Sequence, residues 1–210
     1  MTSTVHVVDD DASFRVAIER RLKMAGYNVA TYATAEQLLD RLPSDDTLGC
    51  ILLDVQIPGL TGPELQERLG QLGSALPIVF VTGHGDIPTS VRAIKAGAED
   101  FLTKPVSSED LLHAIEKALA HHGTQLDQRE KLDGMRDRIA LLTPREREVF
   151  NLVVQGKINK QIAFALGTTE RTIKAHRHSV MEKMQVQSLA ELVLIAERVG
   201  VLGNNGETRN

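Results

Sequence analysis

The sequence predicts two domains of different class, an α/β domain built on a five-stranded parallel sheet and an all-α domain of four helices, joined by a helical linker. Short apolar runs alternate five times with amphipathic stretches in the first part of the chain, the pattern of βαβ units in a doubly wound sheet. From Thr143 onward only helical patterning remains. The charge divides at the same place: residues 1–120 hold 10 Lys+Arg against 17 Asp+Glu, and residues 121–210 hold 14 against 11, an acidic part followed by a basic one. A chain of 210 residues has room for two such cores.

Strands are expected at residues 5–8, 29–32, 50–53, 78–81 and 100–102, each a short run rich in Val, Ile, Leu or aromatic residues. Helical spacing fills residues 13–24, 35–42, 63–72, 87–96 and 108–120, with Thr34 and Gln37 at the spacing of a capping box. Beyond residue 120 the chain becomes polar and charge-mixed, yet Leu126, Leu132, Met135, Ile139 and Leu142 recur at helix-compatible intervals broken by Gly123 and Gly134. This predicts a linker with helical character over residues 121–141. Thr143-Pro144-Arg145-Glu146 then combines an N-cap, a first-turn proline and a capping-box glutamate, and Gly156 ends that helix. Helices follow at residues 160–166, stopped by Gly167, at 170–184, capped by Thr169, and at 189–199, opened by Ser188 with Glu191 and closed by Gly200. The expected partition is therefore 1–120, linker 121–141, 142–202, and a tail at 203–210.

The composition, 42% hydrophobic and 25% charged, is that of a globular protein, and no apolar run is long enough to cross a bilayer. With no signal peptide at the start, a cytoplasmic protein without a membrane partner is expected. The single cysteine, Cys50, excludes an internal disulfide framework and lies in the apolar run Cys50-Ile51-Leu52-Leu53, where a free thiol packs as a small hydrophobe.

In a doubly wound sheet, residues that follow the carboxyl ends of the strands converge in one crevice, and ligands bind there. Asp9 and Asp10 follow the first strand, Asp54 follows the third, Thr82 ends the fourth and Lys104 follows the fifth. Three carboxylates at one point repel unless a cation joins them, and an all-oxygen site open to solvent suits Mg²⁺. Asp54 could then attack phosphorus and form an aspartyl-phosphate, with Lys104 and the Thr82 hydroxyl facing phosphoryl oxygens. An acidic pair after a strand is also a common solvated loop; what favours a site is five suitable residues at successive strand ends.

The stretches Val-Val-Asp-Asp-Asp (7–11), Leu-Asp-Val-Gln-Ile-Pro-Gly-Leu-Thr-Gly (53–62), Val-Thr-Gly-His-Gly-Asp (81–86) and Phe-Leu-Thr-Lys-Pro (101–105) resemble the receiver motifs of response regulators. The resemblance implies a flavodoxin-like (βα)5 receiver with Asp54 as phosphoacceptor. It implies Asp10 and Asp54 as direct Mg²⁺ ligands, Asp9 acting mainly through water, and the backbone carbonyl of Gln56 completing the protein ligands. It further implies a cis Lys104-Pro105 bond, and a switch in which Thr82 moves toward the phosphoryl group while Phe101 fills the space it leaves. His84, in a loop like that of FixJ-type and NtrC-type receivers, is expected to be structural rather than a base.

Between residues 157 and 183 stand six Lys/Arg against two Glu, where two short helices meet through Leu166-Gly167-Thr168-Thr169, the spacing of a helix-turn-helix. Leu-Thr-Pro-Arg-Glu-Arg-Glu-Val-Phe (142–150), Asn-Lys-Gln-Ile-Ala (159–163) and Glu-Arg-Thr-Ile-Lys-Ala-His-Arg (170–177) resemble the LuxR-type DNA-binding domain. By that resemblance residues 170–184 form the recognition helix, with Lys174, Ala175 and His178 facing base edges. Lys160, Thr172 and Arg177 are then placed for phosphates, and His176 is divided between core and phosphate. Ala175 and His178-Ser179 depart from the valine and serine-asparagine usual there, which bears on the bases read. The last helix is expected to serve both the core and dimer pairing.

Together these features predict a phosphorylation-dependent transcriptional regulator of the FixJ/NarL type. Its expected partners are a sensor histidine kinase, double-stranded promoter DNA, a second copy of itself on phosphorylation, and RNA polymerase. Two rival readings are a phosphatase with an aspartyl nucleophile and a receiver that no longer accepts phosphate. The first usually has a second acid two residues after the nucleophile, where this chain has Gln56; the second conflicts with the presence of all five site residues.

Overall fold

The structure, a computed structural model, describes residues 3–83 and 87–202; His84 and the 203–210 tail lie outside the described residues. The strands β1 (Thr4–Val8), β2 (Asn28–Tyr32), β3 (Gly49–Leu53), β4 (Ile78–Thr82) and β5 (Asp100–Thr103) pair in parallel in the order β2-β1-β3-β4-β5. Between and after them run α1 (Ala12–Met24), α2 (Ala35–Leu39), α3 (Gly62–Gln71), α4 (Ile87–Lys95) and α5 (Ser108–Ala140).

A parallel sheet needs apolar cover on both faces, and the central strands provide for it residue by residue. Ile51 and Leu53 of β3 and Ile78 and Phe80 of β4 pack with Leu38 of α2, Leu65 and Leu69 of α3 and Ala93 of α4. Their neighbours Cys50, Leu52, Val79 and Val81 point the other way, onto Ile18 and Leu22 of α1 and Leu111, Ile115 and Ala118 of α5. The two-residue period of a strand makes this division. Cys50 is buried there, and burial pushes its thiol up to about 12. Because the order runs outward from β1 in one direction and from β3 in the other, the crevice beyond their carboxyl ends is where a ligand site belongs.

Two helices differ in length from the sequence expectation. α2 ends at Leu39 rather than residue 42; Pro43 disfavours helical geometry at the residue before it. α5 continues to Ala140 instead of ending near residue 120, carrying Gly123 and Gly134 in its interior. Each glycine costs a helix about 1 kcal/mol, and the intervening Gln-Leu-Asp-Gln-Arg-Glu-Lys-Leu is rich in strong helix formers.

The chain divides into compact units Met1–Asp127 and Gln128–Asn210. In the second unit α6 (Pro144–Val154), α7 (Asn159–Ala165), α8 (Glu170–Lys183) and α9 (Leu189–Arg198) enclose Phe150, Val153, Ile162, Ile173, Val180, Met184, Leu192 and Ile195, and Ile139 from the end of α5 joins that core. Among the described residues no helix is long and apolar enough to cross a membrane.

Candidate functional site

The strand ends bring Asp9, Asp10, Asp54 and Lys104 together, and Thr82, at the end of β4, meets Lys104 through its backbone carbonyl. One carboxylate oxygen from each of Asp9, Asp10 and Asp54 lies within 4.8 Å of the others. Asp9, Asp54 and Thr82 are buried, and Asp10 is exposed. Lys104 Nζ donates to Asp9 Oδ2 at 2.5 Å and to Asp54 Oδ2 at 2.7 Å. Lys104 N donates to the Thr82 carbonyl at 2.7 Å, and the Lys104-Pro105 bond is cis, as the resemblance implies.

The loops after β1 and β3 are fixed in the same economical way. Asp9 Oδ1 accepts from Asp11 N at 2.9 Å and Asp54 Oδ1 from Gln56 N at 3.2 Å, while Asp54 N donates to the Val8 carbonyl at 2.9 Å. The Gln56 residue is exposed beside them. Phe101, on edge strand β5, is half-buried with its ring 6.1 Å from that of Phe80.

Electrostatically the crevice is short of positive charge. Burial pushes the Asp9 carboxyl above its ordinary range, opposed by the hydrogen bond from Lys104. Partial burial pulls Lys104 down, but hydrogen bonds to Asp54 and Asp9 and their charges outweigh it and hold the ammonium above its usual value. One ammonium against three carboxylates leaves a surplus of negative charge, and all the donors are hard oxygens. The triad is consistent with a metal site.

In the second unit the turn between α7 and α8 is built on Thr169, whose Oγ1 accepts from Thr172 N at 3.2 Å and pairs with Thr172 Oγ1 at 2.9 Å. Ile173 and Val180 face the core, so Lys174, Ala175 and His178 are left exposed on the other side of α8. Lys160 is exposed on α7. Thr172 and Arg177 are half-buried; Arg177 donates to Asn159 Oδ1 at 3.0 Å and ties α8 to the start of α7. That bond uses one of the five donors of a guanidinium. His176 is half-buried.

Three residues around the crevice escaped the sequence reading. The ring of Phe14 lies under Lys104, with Nζ 4.0 Å from its centroid. Arg15 donates to the Asp9 carbonyl at 2.6 Å. Gly62 leaves space for the Asp54 backbone, since a Cβ there would collide with the Asp54 carbonyl oxygen and stand 2.8 Å from Phe80 Cε1. The signals in the sequence were slight: Phe14 and Arg15 open the helix after the acidic loop, and Gly62 closes the 53–62 motif and starts the helix after Asp54.

Two family models match the chain: the response regulator receiver domain over residues 5–116, and the bacterial regulatory proteins of the luxR family over residues 140–196. The transcriptional regulatory protein FixJ of Bradyrhizobium diazoefficiens is 40% identical over 200 residues, covering 95% of this chain and 97% of that protein. The response regulator protein TmoT of Ectopseudomonas mendocina is 40% identical over 197 residues, 94% of this chain and 89% of its own. Among solved structures, the response regulator StyR matches with a TM-score of 0.83 at 44% identity, covering 94% of this chain and 100% of that one. Full-length FixJ from B. japonicum gives a TM-score of 0.58 at 40% identity, with 96% and 99% covered.

Proposed function

The chain belongs to the two-component response regulators with a LuxR-type DNA-binding output domain, and from that premise we propose that Asp54 is the phosphoacceptor through which a sensor histidine kinase controls promoter binding. As a member of a transcription-factor family it is not a catalytic enzyme, which removes the phosphatase reading. The observation that carries the assignment is the bridge of Lys104 between Asp9 and Asp54, with an Asp10 oxygen within 4.8 Å of theirs.

Asp10, Asp54 and the Gln56 carbonyl would hold Mg²⁺, with Asp9 acting through water. Bound there, the ion supplies the charge neutralisation that lets an anionic phosphoryl group approach an anionic nucleophile. A carboxylate oxygen of Asp54 forms the new P–O bond as the P–N bond to the kinase histidine breaks. Lys104 then turns to a phosphoryl oxygen, the Thr82 hydroxyl moves toward another, and Phe101 fills the space that Thr82 leaves. This reshapes the surface of α4 and β5 and favours a dimer, so that two output domains meet DNA together. On DNA, Lys174, Ala175 and His178 read base edges and Lys160, Thr172 and Arg177 hold phosphates; RNA polymerase is the further partner at the promoter, and the cytoplasm is the compartment of action.

The test is labelling of the full chain by acetyl phosphate with Mg²⁺. Wild type should gain one hydroxylamine-labile phosphoryl group and Asp54→Asn none, because an amide lacks the nucleophilic oxygen. Equal labelling of the variant would overturn the assignment.

A further inference from the structure

We propose that Phe14 is a positioning residue for phosphoryl transfer, its ring face holding the Lys104 ammonium against Asp54. The inference rests on the assignment of Asp54 as phosphoacceptor. A lysine ammonium is a compact charge on a flexible four-carbon stem, with nothing in its own geometry to fix its direction. Among the described residues it meets Asp9 Oδ2 at 2.5 Å, Asp54 Oδ2 at 2.7 Å, and the Phe14 ring with its centroid at 4.0 Å. One of them, Asp54, takes the phosphoryl group and no longer offers the same oxygen. The ring, like Asp9, keeps its covalent form through the transfer.

The ring is placed by the same loop that supplies the carboxylates. Asp11 caps α1, its Oδ1 accepting from Ser13 N at 2.8 Å and Phe14 N at 3.2 Å, while its own N–H donates to Asp9 Oδ1 at 2.9 Å. Arg15, the next residue, donates to the Asp9 carbonyl at 2.6 Å. The Phe14 ring is half-buried against the core between the sheet, α1 and α5. Ring and carboxylates therefore keep one register.

When Asp54 takes a phosphoryl group, the ammonium has to exchange a carboxylate oxygen for a phosphoryl oxygen. An aromatic face attracts a cation through its quadrupole without a fixed hydrogen-bond direction, so it permits that turn while opposing escape of the stem into solvent. A leucine would cover the same apolar surface and offer no negative face. A phenylalanine that merely packs α1 against the sheet would be replaceable by leucine with no effect specific to Lys104.

Acetyl phosphate labelling of the full chain separates the two. Phe14→Leu should slow labelling at saturating donor by about 3- to 10-fold, the range of a partly desolvated cation–π contact, with half-saturating donor and Mg²⁺ concentrations unchanged. Phe14→Tyr should restore the wild-type rate. On a Lys104→Ala background Phe14→Leu should have no further effect, since the ring acts through the ammonium. The proposal is overturned if Phe14→Leu labels at the wild-type rate, if Phe14→Tyr is as slow as Phe14→Leu, or if the loss is equal with and without Lys104. Absence of label on Asp54 in wild type would instead overturn the phosphoacceptor assignment itself.

Discussion

At Gly62 the loop after β3 and the start of α3 pass so closely that no side chain fits between them. A Cβ would press on the carbonyl oxygen of Asp54 and on the Phe80 ring, and also approach Val55 Cα at 3.0 Å. Backbone atoms cannot swing aside as a flexible side chain does, so Gly62→Ala should lower stability by about 1–3 kcal/mol. It should also slow labelling of Asp54, whose own carbonyl is displaced. Urea unfolding with the wild-type midpoint, together with unchanged labelling, would show that the loop yields freely. The contrast with the acidic residues is instructive. Asp9, Asp10, Asp54, Thr82 and Lys104 were legible because each stands at or next to the end of a strand, and the fold class alone brings strand ends together. Phe14, Arg15 and Gly62 act across the junctions of β1 with α1 and β3 with α3, distances that no spacing in the chain encodes.

Helix ends show the same division between local and tertiary information. Thr143 and Glu146 form the expected reciprocal box, Thr143 N donating to Glu146 Oε2 at 2.8 Å and Glu146 N to Thr143 Oγ1 at 3.3 Å. No local spacing shows that Lys183, at the end of α8, also donates to Glu146 Oε2 at 2.6 Å and to the Leu141 carbonyl at 3.3 Å. The Lys183 hydrogen bond first, and the Thr143 N–H second, hold the Glu146 carboxyl at about 2, against a usual value of 4.5. A carboxylate held low in the folded state stabilises it above the ordinary carboxylate range, and that contribution is lost as pH falls toward 2. Glu146→Gln should therefore remove stability on the order of 1–3 kcal/mol at neutral pH and flatten the acid limb below about pH 5; thermal unfolding across that range measures both. An acid limb as steep as in wild type would mean that the ion pair is not coupled to folding. On α8 the structure sharpens a second expectation. Lys174→Ala should cost about 1–3 kcal/mol at one preferred base and relax specificity there. Arg177→Ala should weaken all sequences alike, and more than one lost phosphate contact would, because Arg177 also holds Asn159 of α7. Competition binding against a randomised DNA pool distinguishes them, and a uniform loss in both variants would remove Lys174 from base reading.

For the whole molecule, the acidic and basic parts seen in the sequence became two units with separate cores. The stripe Leu126, Leu132, Met135, Ile139 and Leu142 was legible as helical, but its destination was not, because periodicity shows that a face is apolar and not what covers it. Ile139 and Leu142 are buried in the second core, and Met135 packs against it. With the proposed phosphoacceptor in one unit and the proposed recognition helix in the other, phosphorylation can act on DNA only through a difference in affinity between two states. Dimerisation supplies one: two output domains on a two-fold site bind as an intramolecular pair after the first contact, and the gain is set by effective concentration rather than by any new contact. Sedimentation of the full chain should then show mostly monomer before acetyl phosphate treatment and mostly dimer after it, and Asp54→Asn should stay monomeric. DNA binding should rise with the dimer fraction and show a steeper salt dependence, since each output domain displaces its own counterions from the phosphates. If the oligomer is the same before and after phosphorylation while DNA affinity still rises, then the signal reaches the output domain without a second copy, and dimerisation is not the switch.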